Sequence, residues 1–378
     1  MNVLINGISA GGGGGYTVAV ELSAAIALAN PDWQVTTMFR EDLPLHREAR
    51  RLKTSTNHCY SFRPENLRTP SARRRFECRG LRVWTDQNDV DVCINLNGML
   101  FKTLGCPMIC HFQDPWAYRP EAWSKSRDRA RAFLKRRAHR QALFSADACT
   151  WTSHYLQNLI VGYHGTDPDI SEVVYNGVPD AWLRLKQYKT FSDRSNTIIT
   201  LGNVNAYKRQ SLVMKAVASL SKITGDSTLR YHILGSITDT TKAELTRLAK
   251  DLDVEEQVMI EGRVSVDRIK YLLSSARVKV LMSVCESFGI PCIEAMSEGC
   301  VVIAARSCAL PEVCGDAAIL TEPDDLEQLT DQLGKVLKDE PWGSQLQKKG
   351  IERSQQFAWS AAGKTMSDVC RKVVAKQA

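Results

Sequence analysis

The chain has 378 residues, 44% of them hydrophobic and 24% charged, which predicts two globular domains and excludes a disordered polymer. No apolar run approaches the roughly 18–20 residues that span a bilayer, and the first residues resemble a buried strand instead of a signal peptide, so we expect a cytoplasmic protein. The net charge is +7, and the 12 cysteines form no Cys-x2-Cys pair of the zinc type, so we expect reduced thiols and no metal site.

Short apolar runs alternate with amphipathic stretches of helix length, which is the pattern of a parallel α/β protein. The strands predicted in the first half are residues 3–5, 35–38, 90–95, 108–111, 148–152 and 172–175. Those predicted in the second half are residues 197–201, 231–234, 258–261, 278–282 and 301–304. We therefore expect two doubly wound domains, residues 1–185 and 197–356, with a polar linker at 186–196 and a closing helix in 357–378.

Five consecutive glycines, residues 11–15, follow the first predicted strand and precede a helical run at 18–29. Glycine in this number suits a loop whose backbone approaches a ligand closely, and we expect Gly14 and Gly15 to do so; the alternative is a merely flexible loop. A Walker loop is excluded, because no Gly-Lys-Ser/Thr follows. A dinucleotide site suits the position but lacks its acidic ribose partner, since Asp32 lies before the second strand.

Basic residues concentrate in residues 51–150, which hold 19 Lys and Arg against 9 Asp and Glu. Within them, residues 125–140 are helical in character and basic around much of their surface. This helix is either a solvated face or a contact for an anionic membrane surface or a lipid-diphosphate acceptor, through Arg129, Arg136 and Arg137. No nucleic-acid-binding module accompanies the charge, so we expect no nucleic-acid partner.

Other candidate residues lie near predicted strand ends in the first half. His111 follows the strand at 108–110, and the carboxyl end of a strand in a parallel sheet faces the ligand crevice. Trp116 belongs to an aromatic cluster just after it, which either packs, forms an acceptor platform or forms a membrane-edge patch. Tyr16 after the glycine run is a further candidate for the acceptor or the membrane. A lone histidine is more often structural, so the position of His111 is what favours a functional role.

In the second half, Gly202 and Asn203 follow the first strand, and Lys208-Arg209 lies just beyond them. A Lys-Arg pair at this place either is solvated or neutralises a bound anion. Further turns end the next two strands, at Gly235 and at Arg263-Val264. Individually these glycines and basic residues are weak signals, and their common position at strand ends is what makes them candidates for one site.

The most informative segment is Glu286-Ser287-Phe288-Gly289-Ile290-Pro291-Cys292-Ile293-Glu294, with two carboxylates eight positions apart. Proline favours the first turn of a helix, so we expect a helix to begin at Ile290. The free amides and positive dipole of that terminus suit a diphosphate, and carboxylates suit the hydroxyls of a sugar and a ribose. The segment therefore predicts a nucleotide-sugar pocket.

This segment, continued through Gly299 and Leu310-Pro311-Glu312-Val313, resembles the donor-site signature of retaining GT-B glycosyltransferases of the glycosyltransferase-four family (glycosyl transferases group 1). The resemblance implies a GT-B fold, with two Rossmann-like domains facing across a deep cleft. It implies that the first domain binds the acceptor and the second binds the donor, and that the closing helix crosses back to the first domain. The likeness covers nearly the whole chain and is strongest from Thr197 to Pro323.

The resemblance also implies roles for individual residues. Glu286 would hold the donor sugar, Lys208 would neutralise the leaving diphosphate, and His111 would contact the sugar from the first domain. An arginine that often follows the strand glycine in the family is replaced here by Asn203, and Arg209 is the candidate substitute. The donor-binding residues expected are Gly14, Gly15, Gly202, Asn203, Arg209, Gly235, Arg263, Val264, Ser287, Phe288, Gly289, Ile290 and Glu294.

The implied activity is transfer of a hexose from a nucleoside-diphosphate sugar to a hydroxyl of a glycan or lipid-linked acceptor, with retention at the anomeric carbon. We expect no metal or other cofactor, because no Asp-x-Asp stands in a credible place. Bacterial surface-polysaccharide synthesis, on the inner face of the plasma membrane, suits the basic first domain. The rival hypotheses are a non-catalytic nucleotide-sugar-binding protein of the same fold and an NAD-dependent oxidoreductase.

Overall fold

The computed structural model describes residues 1–10, 13–41, 56–63, 67, 69–99, 102–184 and 186–377. Two parallel sheets with helices between their strands make up this part of the chain, and they form two compact units. The strands are β1 Asn2–Asn6, β2 Gln34–Arg40, β3 His58–Arg63, β4 Val92–Asn95, β5 Met108–Phe112, β6 Ala148–Trp151, β7 Ser171–Val173, β8 Ser195–Leu201, β9 Arg230–Leu234, β10 Val258–Gly262, β11 Ala276–Leu281, β12 Val301–Ala305 and β13 Ala318–Thr321.

The α-helices of the described residues lie mostly between consecutive strands. They are α1 Gly14–Ala29, α2 Pro70–Arg75, α3 Leu81–Gln87, α4 Asp128–Ser145, α5 His154–His164, α6 Asp180–Leu183, α7 Gln210–Thr224, α8 Asp239–Asp251, α9 Val266–Ser275, α10 Ile290–Ser297, α11 Leu310–Cys314, α12 Leu326–Lys338, α13 Glu340–Ser354 and α14 Trp359–Gln377. Short 3-10 helices occupy Trp116–Tyr118, Pro120–Ala122, Ala206–Lys208 and Gly315–Ala317.

Unit 1 consists of Met1–Tyr118, Lys125–Gly177 and Trp359–Ala378, and it is built on a seven-stranded sheet. Its strand order is β3-β2-β1-β4-β5-β6-β7, and its neighbouring strands pair in parallel. The chain reverses direction across the sheet between β1 and β4, which is the topological switch point of a doubly wound fold. The central strands are buried on both faces, as parallel strands covered by helices require.

Unit 2 consists of Arg119–Ser124 and Val178–Ala358, with the strand order β10-β9-β8-β11-β12-β13. Its neighbouring strands also pair in parallel, and the switch point lies between β8 and β11. The predicted α/β class with two doubly wound sheets is therefore confirmed. The edge strands β3 and β13 were not predicted, and both pair in register with the strand beside them.

Residues predicted as a linker, 186–196, belong to unit 2 instead of joining two bodies as a free segment. Phe191 and Arg194 are buried, and Arg194 donates to the carbonyl oxygens of Leu273 and Ala276 at 3.0 and 2.9 Å. The strand β8 already begins at Ser195, and unit 2 starts at Val178 and not after residue 185. The sequence did not indicate these contacts, because the segment is polar and an arginine such as Arg194 is ordinarily expected to be exposed to solvent.

The glycine run also differs from the prediction. Gly14 and Gly15 form the first turn of α1, so the helix starts four residues earlier than the predicted position 18. Gly13, with a φ of +91°, precedes the helix, while residues 11 and 12 lie outside the described residues. Thus Gly14 and Gly15 belong to the amino-terminal turn of a helix and not to a loop.

The last helix, α14, is part of unit 1 and packs along α1. The two helices approach closely where Gly363 faces Ala25, since a Cβ on Gly363 would lie 2.6 Å from the Ala25 carbonyl carbon. Polar contacts flank this crossing: the Asn30 amide donates to Ser367 Oγ at 2.8 Å, and the Arg371 guanidinium lies over the Trp33 ring. A small residue at the crossing and hydrogen bonds beside it fix the position of α14.

A π-helical turn, Phe76–Gly80, separates α2 from α3 in unit 1 and buries a carboxylate. Glu77 within it is 4% exposed, and neither of its carboxylate oxygens has a hydrogen-bond partner among the described residues. Burial raises the pKa of Glu77 to about 7; the charge of Arg73 and the nearby amides of Asn6 and Asn97 oppose the shift, although neither amide meets hydrogen-bond geometry. A π-helical turn changes which side chains face inward, and here it directs an acid toward the sheet.

Candidate active site

Three glycine turns connect the carboxyl ends of β8, β9 and β10 in unit 2. Gly202 donates its N–H to the Leu234 carbonyl at 2.9 Å, and Gly235 donates to the Gly262 carbonyl at 2.7 Å. Gly202 and Gly235 have φ values of +129° and +135°, and a Cβ on Gly235 would lie only 1.9 Å from the Gly202 oxygen. Only glycine allows the turns to approach this closely, so the turns after β8, β9 and β10 pack against one another through backbone atoms.

Lys208 and Glu286 form an ion pair next to the Gly202 turn. Lys208 Nζ lies 2.5 Å from Glu286 Oε1, and the two side chains are only 12% and 11% exposed. Burial opposes the lysine charge, but the adjacent Glu286 carboxylate raises the pKa of Lys208 above its ordinary value. Lys208 is therefore a fixed, partly desolvated cation at the end of β8, where a nearby anion would interact with it more strongly than in water.

Local structure explains where the lysine lies. Asn205 caps the 3-10 turn that carries Lys208, its Oδ1 accepting from the Lys208 N–H at 3.2 Å. The Val284 N–H donates to the Tyr207 carbonyl at 3.1 Å, which fastens this turn to the segment that leads into Glu286. The two charged residues, 78 positions apart in sequence, are thus held together by backbone as well as by their own contact.

The helix α10 begins at Ile290, as predicted, and its amino terminus lies four residues after Glu286. Gly289 precedes it with a φ of +99°, and a Cβ there would lie 2.6 Å from Leu310 Cδ2. Phe288 is buried and packs edge-on against Phe357 at 5.4 Å, which anchors the turn from below. Glycine and the buried ring explain why the chain can turn sharply between the acidic residue and the helix.

The other predicted donor-site residues of unit 2 occupy the same region to different extents. Glu294 is half-buried in the first turns of α10, and Ser287 and Ile290 are half-buried beside it. Asn203 is exposed next to Gly202, while Arg263 is exposed and Val264 half-buried after β10. These residues all follow the carboxyl ends of strands or open α10, which is where the sequence had placed them.

Arg209, the predicted substitute for the absent family arginine, begins α7 with a left-handed φ of +55°. Its Nη2 lies 2.7 and 2.8 Å from the two carboxylate oxygens of Asp324, an acid that is 79% exposed. Its other terminal nitrogen, Nη1, is buried and has no hydrogen-bond partner. The strained backbone directs the guanidinium away from α7, toward Asp324.

Two family models match consecutive parts of the chain. Residues 12–182 match the model "Glycosyltransferase Family 4", and residues 184–357 match "Glycosyl transferases group 1". The chain belongs to the glycosyltransferase-four family. The predicted resemblance is thereby confirmed in both halves of the protein, including the first half, where the sequence motifs were weaker.

Relatives in this family align with parts of the chain. O-antigen chain mannosyltransferase B of Escherichia coli is 35% identical over 98 residues, 26% of this chain and 26% of that protein. A D-inositol 3-phosphate glycosyltransferase of Corynebacterium glutamicum (strain R) is 22% identical over 298 residues, 74% of this chain and 70% of that protein. Three relatives, the O-antigen chain mannosyltransferase among them, are matched over only 26%, 51% and 33% of their own lengths.

Solved structures of the GT-B glycosyltransferase fold resemble the whole chain. Sucrose-phosphate synthase from Thermosynechococcus elongatus has a TM-score of 0.76 at 18% identity, with full coverage of both chains. Anabaena Alr3699/HepE, solved in complex with UDP and glucose, has a TM-score of 0.77 at 15% identity, covering 98% of this chain and 100% of that one. At these identities the likeness establishes the fold, which is of GT-B type.

In unit 1, His111 lies near the carboxyl end of β5, as its penultimate residue and not directly after the strand as predicted, and it is fully buried. Its Nδ1 lies 2.9 Å from Thr150 Oγ1, and its Nε2 is buried without a hydrogen-bond partner. Burial lowers the pKa of His111 to about 3, so the ring is neutral at physiological pH. Its contact with a donor sugar stays a prediction.

The glycosyltransferase's other predicted first-domain residues surround the start of α1 and the loop after β5. Gly14 and Gly15 are exposed, and a Cβ on Gly14 would meet no atom within 4 Å. Tyr16 is half-buried and contacts the Phe39 ring at 6.3 Å. Trp116 is half-buried in a 3-10 turn. Among the described residues, no atom blocks the approach of a ligand to the backbone at Gly14, whereas Tyr16 also has a packing role.

The basic helix predicted at 125–140 is α4, shifted toward Asp128–Ser145. Arg129 and Arg137 are exposed, but Arg136 is half-buried and donates to the Tyr163 hydroxyl at 3.0 Å and to the Ala132 carbonyl at 3.3 Å. Arg136 therefore serves packing in unit 1, and the two exposed arginines are the better candidates for an external anion.

One residue near the site escaped sequence reasoning. Arg119 belongs to unit 2 although it lies far from it in sequence, and its Nε donates to the Val284 carbonyl at 3.2 Å while Nη2 donates to Ser307 Oγ at 3.2 Å. It thereby supports the segment that precedes Glu286. Only the three-dimensional contact reveals it, because nothing in the local sequence separates it from the other arginines.

Within the described ranges, no group of three or more His, Cys, Asp and Glu side chains is arranged to hold a metal ion. Over the same part of the chain, no helix is both long enough and apolar enough to cross a membrane.

Proposed function

We propose that this glycosyltransferase moves a hexose from a nucleoside-diphosphate sugar to a hydroxyl of a glycan or lipid-linked acceptor, with retention at the anomeric carbon and without a metal ion. The observation that carries the proposal is the Lys208–Glu286 pair, which brings a cation and a carboxylate together beside the amino terminus of α10. In this arrangement, the Lys208 cation can interact with the diphosphate of such a donor and the Glu286 carboxylate with its sugar.

Lys208 and the amino terminus of α10 would stabilise the negative charge that develops on the leaving diphosphate. Lys208 is nearly enclosed, so its charge is oriented before the reaction and little solvent screens it. Arg209 would add a second positive charge by leaving Asp324, whose exposed carboxylate is readily replaced by a phosphate oxygen. Metal independence follows from this proposal, because side chains and backbone supply the positive charge.

Glu286 would accept hydrogen bonds from donor-sugar hydroxyls, and its charge would favour the oxocarbenium-like centre that forms at the anomeric carbon. Glu294 would accept from the ribose hydroxyls. The acceptor oxygen would attack the face from which the diphosphate departs and pass its proton to a diphosphate oxygen, so no enzyme nucleophile is needed. His111 would contact the sugar as a neutral ring.

The names of relatives support a role in surface polysaccharide synthesis. One relative is an O-antigen chain mannosyltransferase, and one structural neighbour is the lipopolysaccharide outer core galactosyltransferase WaaB, with a TM-score of 0.65 at 15% identity and full coverage of both chains. These two names indicate different sugars and no base, so the donor must be measured. We place the reaction at the cytoplasmic face of the membrane, where an intracellular nucleotide sugar meets a lipid-linked acceptor.

Thermal unfolding with a panel of GDP, UDP, ADP and dTDP sugars tests the donor. A nucleotide sugar at one hundred times its dissociation constant should add about 2.7 kcal/mol of stability. The response to one base should persist with a chelator and disappear in Glu294→Ala. Lys208→Met should weaken binding of the free nucleoside diphosphate, while Lys364→Met, an exposed lysine of α14, is the matched control.

Each other outcome selects a rival. Stabilisation by NAD alone would replace the transferase by an oxidoreductase. Binding of a nucleotide sugar with no transfer to any of a set of glycan and lipid-diphosphate acceptors, and no slow hydrolysis of the donor, would favour a non-catalytic binding protein. Loss of the thermal response in chelator would contradict metal independence but leave the transferase proposal standing.

An anionic membrane surface is the partner proposed for unit 1. One face of α4 exposes Phe133, Leu134 and Phe144 to 57%, 65% and 62%, and Arg129 and Arg137 are exposed on the same helix. Apolar groups flanked by arginines suit the interface of a bilayer that contains acidic lipid. A second protein chain is the alternative occupant of such a face.

Sedimentation with lipid vesicles distinguishes these partners. The protein should bind vesicles that contain phosphatidylglycerol and should not bind pure phosphatidylcholine. Phe133→Ser with Leu134→Ser should abolish binding, whereas Leu28→Ser, at an apolar residue of α1 that is 73% exposed, should leave it unchanged. Dimerisation that both the double variant and vesicles disrupt would instead indicate a protein partner and contradict the membrane.

A further inference from the structure

A lysine lies in the centre of the unit 2 sheet, where no charged residue is expected. Lys279 is 0% exposed on β11, and in the sheet register it stands between Ile199 of β8 and Val302 of β12. A buried ammonium requires a partner, because its desolvation is very unfavourable. Within the described part of the chain, Lys279 Nζ has one hydrogen bond, to Cys292 Sγ at 3.1 Å, and none to a carboxylate.

Cys292 belongs to the first turn of α10 and is also fully buried. Its Sγ lies 3.9 Å from the position that a Cβ on Gly289 would take, so the sulfur lies against the turn that begins the helix. Hydrogen bonding by the Cys314 thiol lowers the pKa of Cys292 to about 6 against the effect of burial, and the Lys279 charge adds to this. A thiolate at 292 and an ammonium at 279 then balance each other's charge.

Among the residues that the structure describes, Lys279 and Cys292 form no ion pair with any other side chain. The Lys279 charge also acts on Cys300 and Cys314. Burial raises the pKa of Cys300 to about 12, and the hydrogen bond to Cys292, followed by burial, raises the pKa of Cys314 well above its ordinary value. Both are therefore thiols. Cys292 is the cysteine of this cluster whose pKa is lowered, and a lowered pKa favours the thiolate that nucleophilic attack requires.

We propose that Lys279 and Cys292 form a redox-sensitive modification site, in which a peroxide joins Sγ to Nζ by a covalent sulfenamide bond. The link would fasten β11 to the first turn of α10. Thiolates react with peroxides to give sulfenic acids, and a sulfenic acid condenses with a nearby nitrogen. The amine at 3.1 Å is the nitrogen that the fold supplies.

The reaction balances without any further reagent. The Cys292 thiolate attacks hydrogen peroxide to form the sulfenic acid, and the hydroxide released removes a proton from the Lys279 ammonium, giving water. The neutral amine then attacks the sulfenic sulfur, an S–N bond forms, the S–O bond breaks, and a second water leaves. Sulfur is oxidised by two electrons, and peroxide is reduced by two.

The site is independent of the sugar donor and acceptor, so its test does not require transferase activity. The full chain is treated with hydrogen peroxide, quenched with catalase, alkylated in denaturant and digested with trypsin without a reductant. Trypsin cuts unmodified protein after Arg277, Lys279 and Arg306. The link should block the cut at Lys279 and yield the peptide of residues 278–306, lighter by two hydrogens, with two of its three cysteines alkylated.

Dithiothreitol should restore both the cut at Lys279 and alkylation of the third cysteine. Cys292→Ser should abolish the uncleaved peptide, whereas Cys300→Ser, at a buried cysteine of the same peptide, should retain it. Because the product is measured in the unaltered protein, poor folding of a variant does not remove the test. A disulfide joining Cys292 to Cys314, or a sulfinic acid at Cys292 with normal cleavage at Lys279, would overturn the proposal.

Discussion

Replacing Glu77 by glutamine should stabilise unit 1 at alkaline pH much more than at acid pH. Burial raises the pKa of Glu77 from 4.5 to about 7, so the folded protein holds a proton that the unfolded chain releases. Folding is unaffected by this group below the unfolded pKa. As pH rises from about 4.5 to about 7, the unfolded state loses its proton first, and the native state becomes progressively less favoured.

The size of the effect follows from the shift. Each pKa unit corresponds to about 1.4 kcal/mol, and a rise from 4.5 to about 7 therefore destabilises unit 1 by about 3 kcal/mol above neutral pH. Glutamine cannot ionise, so Glu77→Gln removes this term. The substitution also exchanges a buried carboxyl group for a buried amide. This exchange changes the free energy of unfolding by the same amount at every pH, so it cancels when the two pH values are compared.

Native-state hydrogen exchange in urea is the suitable assay, because a chain with two compact units need not unfold in one step. Peptides from β1 and β4 report the stability of unit 1, and peptides from β8 and β11 provide an internal control. The difference between Glu77→Gln and the unaltered protein should grow by about 3 kcal/mol between about pH 4 and about pH 8 in the unit 1 peptides alone.

A difference that stays constant with pH would refute the reasoning. It would mean that Glu77 titrates in the native state as it does in the unfolded chain, either because water solvates its oxygens or because the amides of Asn6 and Asn97 donate hydrogen bonds to them in solution. Growth of the difference in the opposite direction would show that Arg73 governs the carboxylate and that burial does not. Either result would show that Glu77 is not protonated in folded unit 1 near neutral pH.

Other variants test backbone strain and the buried cation in unit 2. Gly235→Ala should destabilise unit 2 by about 2–4 kcal/mol, because φ is +135° and the new Cβ would meet the Gly202 oxygen. Gly162→Ala in α5, where a Cβ meets no described atom within 4 Å, should instead stabilise its helix by about 0.5–1 kcal/mol. Urea denaturation measures both changes. Cys292→Ala should lower stability by about 3–5 kcal/mol by leaving Lys279 without a partner, and adding Lys279→Met should recover a large part of the loss; equal losses in the single and double variants would contradict the ion pair.

The sequence predicted the sheets well where a strand is apolar and follows a helix. The edge strands β3 and β13 escaped because their residues are few or partly exposed, and edge pairing depends on a neighbour that local patterns do not reveal. The start of α1 was misplaced because glycine disfavours helices, and tertiary packing overrides that preference here.

The candidate site was predictable in outline, because the carboxyl ends of parallel strands meet at one edge and Lys208 and Glu286 both follow such ends. What could not be predicted is which charged residues turn inward. Lys279 lies inside a strand that was predicted, and Glu77 lies in a helical stretch whose π turn has no sequence signature. Burial of a charge depends on partners distant in sequence, and composition carries no record of them.

The position of α14 sets the order in which the protein can be completed on the ribosome. Unit 1 needs this helix against α1, yet all of unit 2 is synthesised before it. The first half of the chain must therefore wait, with the apolar side of α1 uncovered, until the second unit has emerged and had time to fold. A nascent chain halted after α13 would hold a finished second unit and an unfinished first one, so chaperones that bind apolar helices should engage the older part of the chain and not the newer.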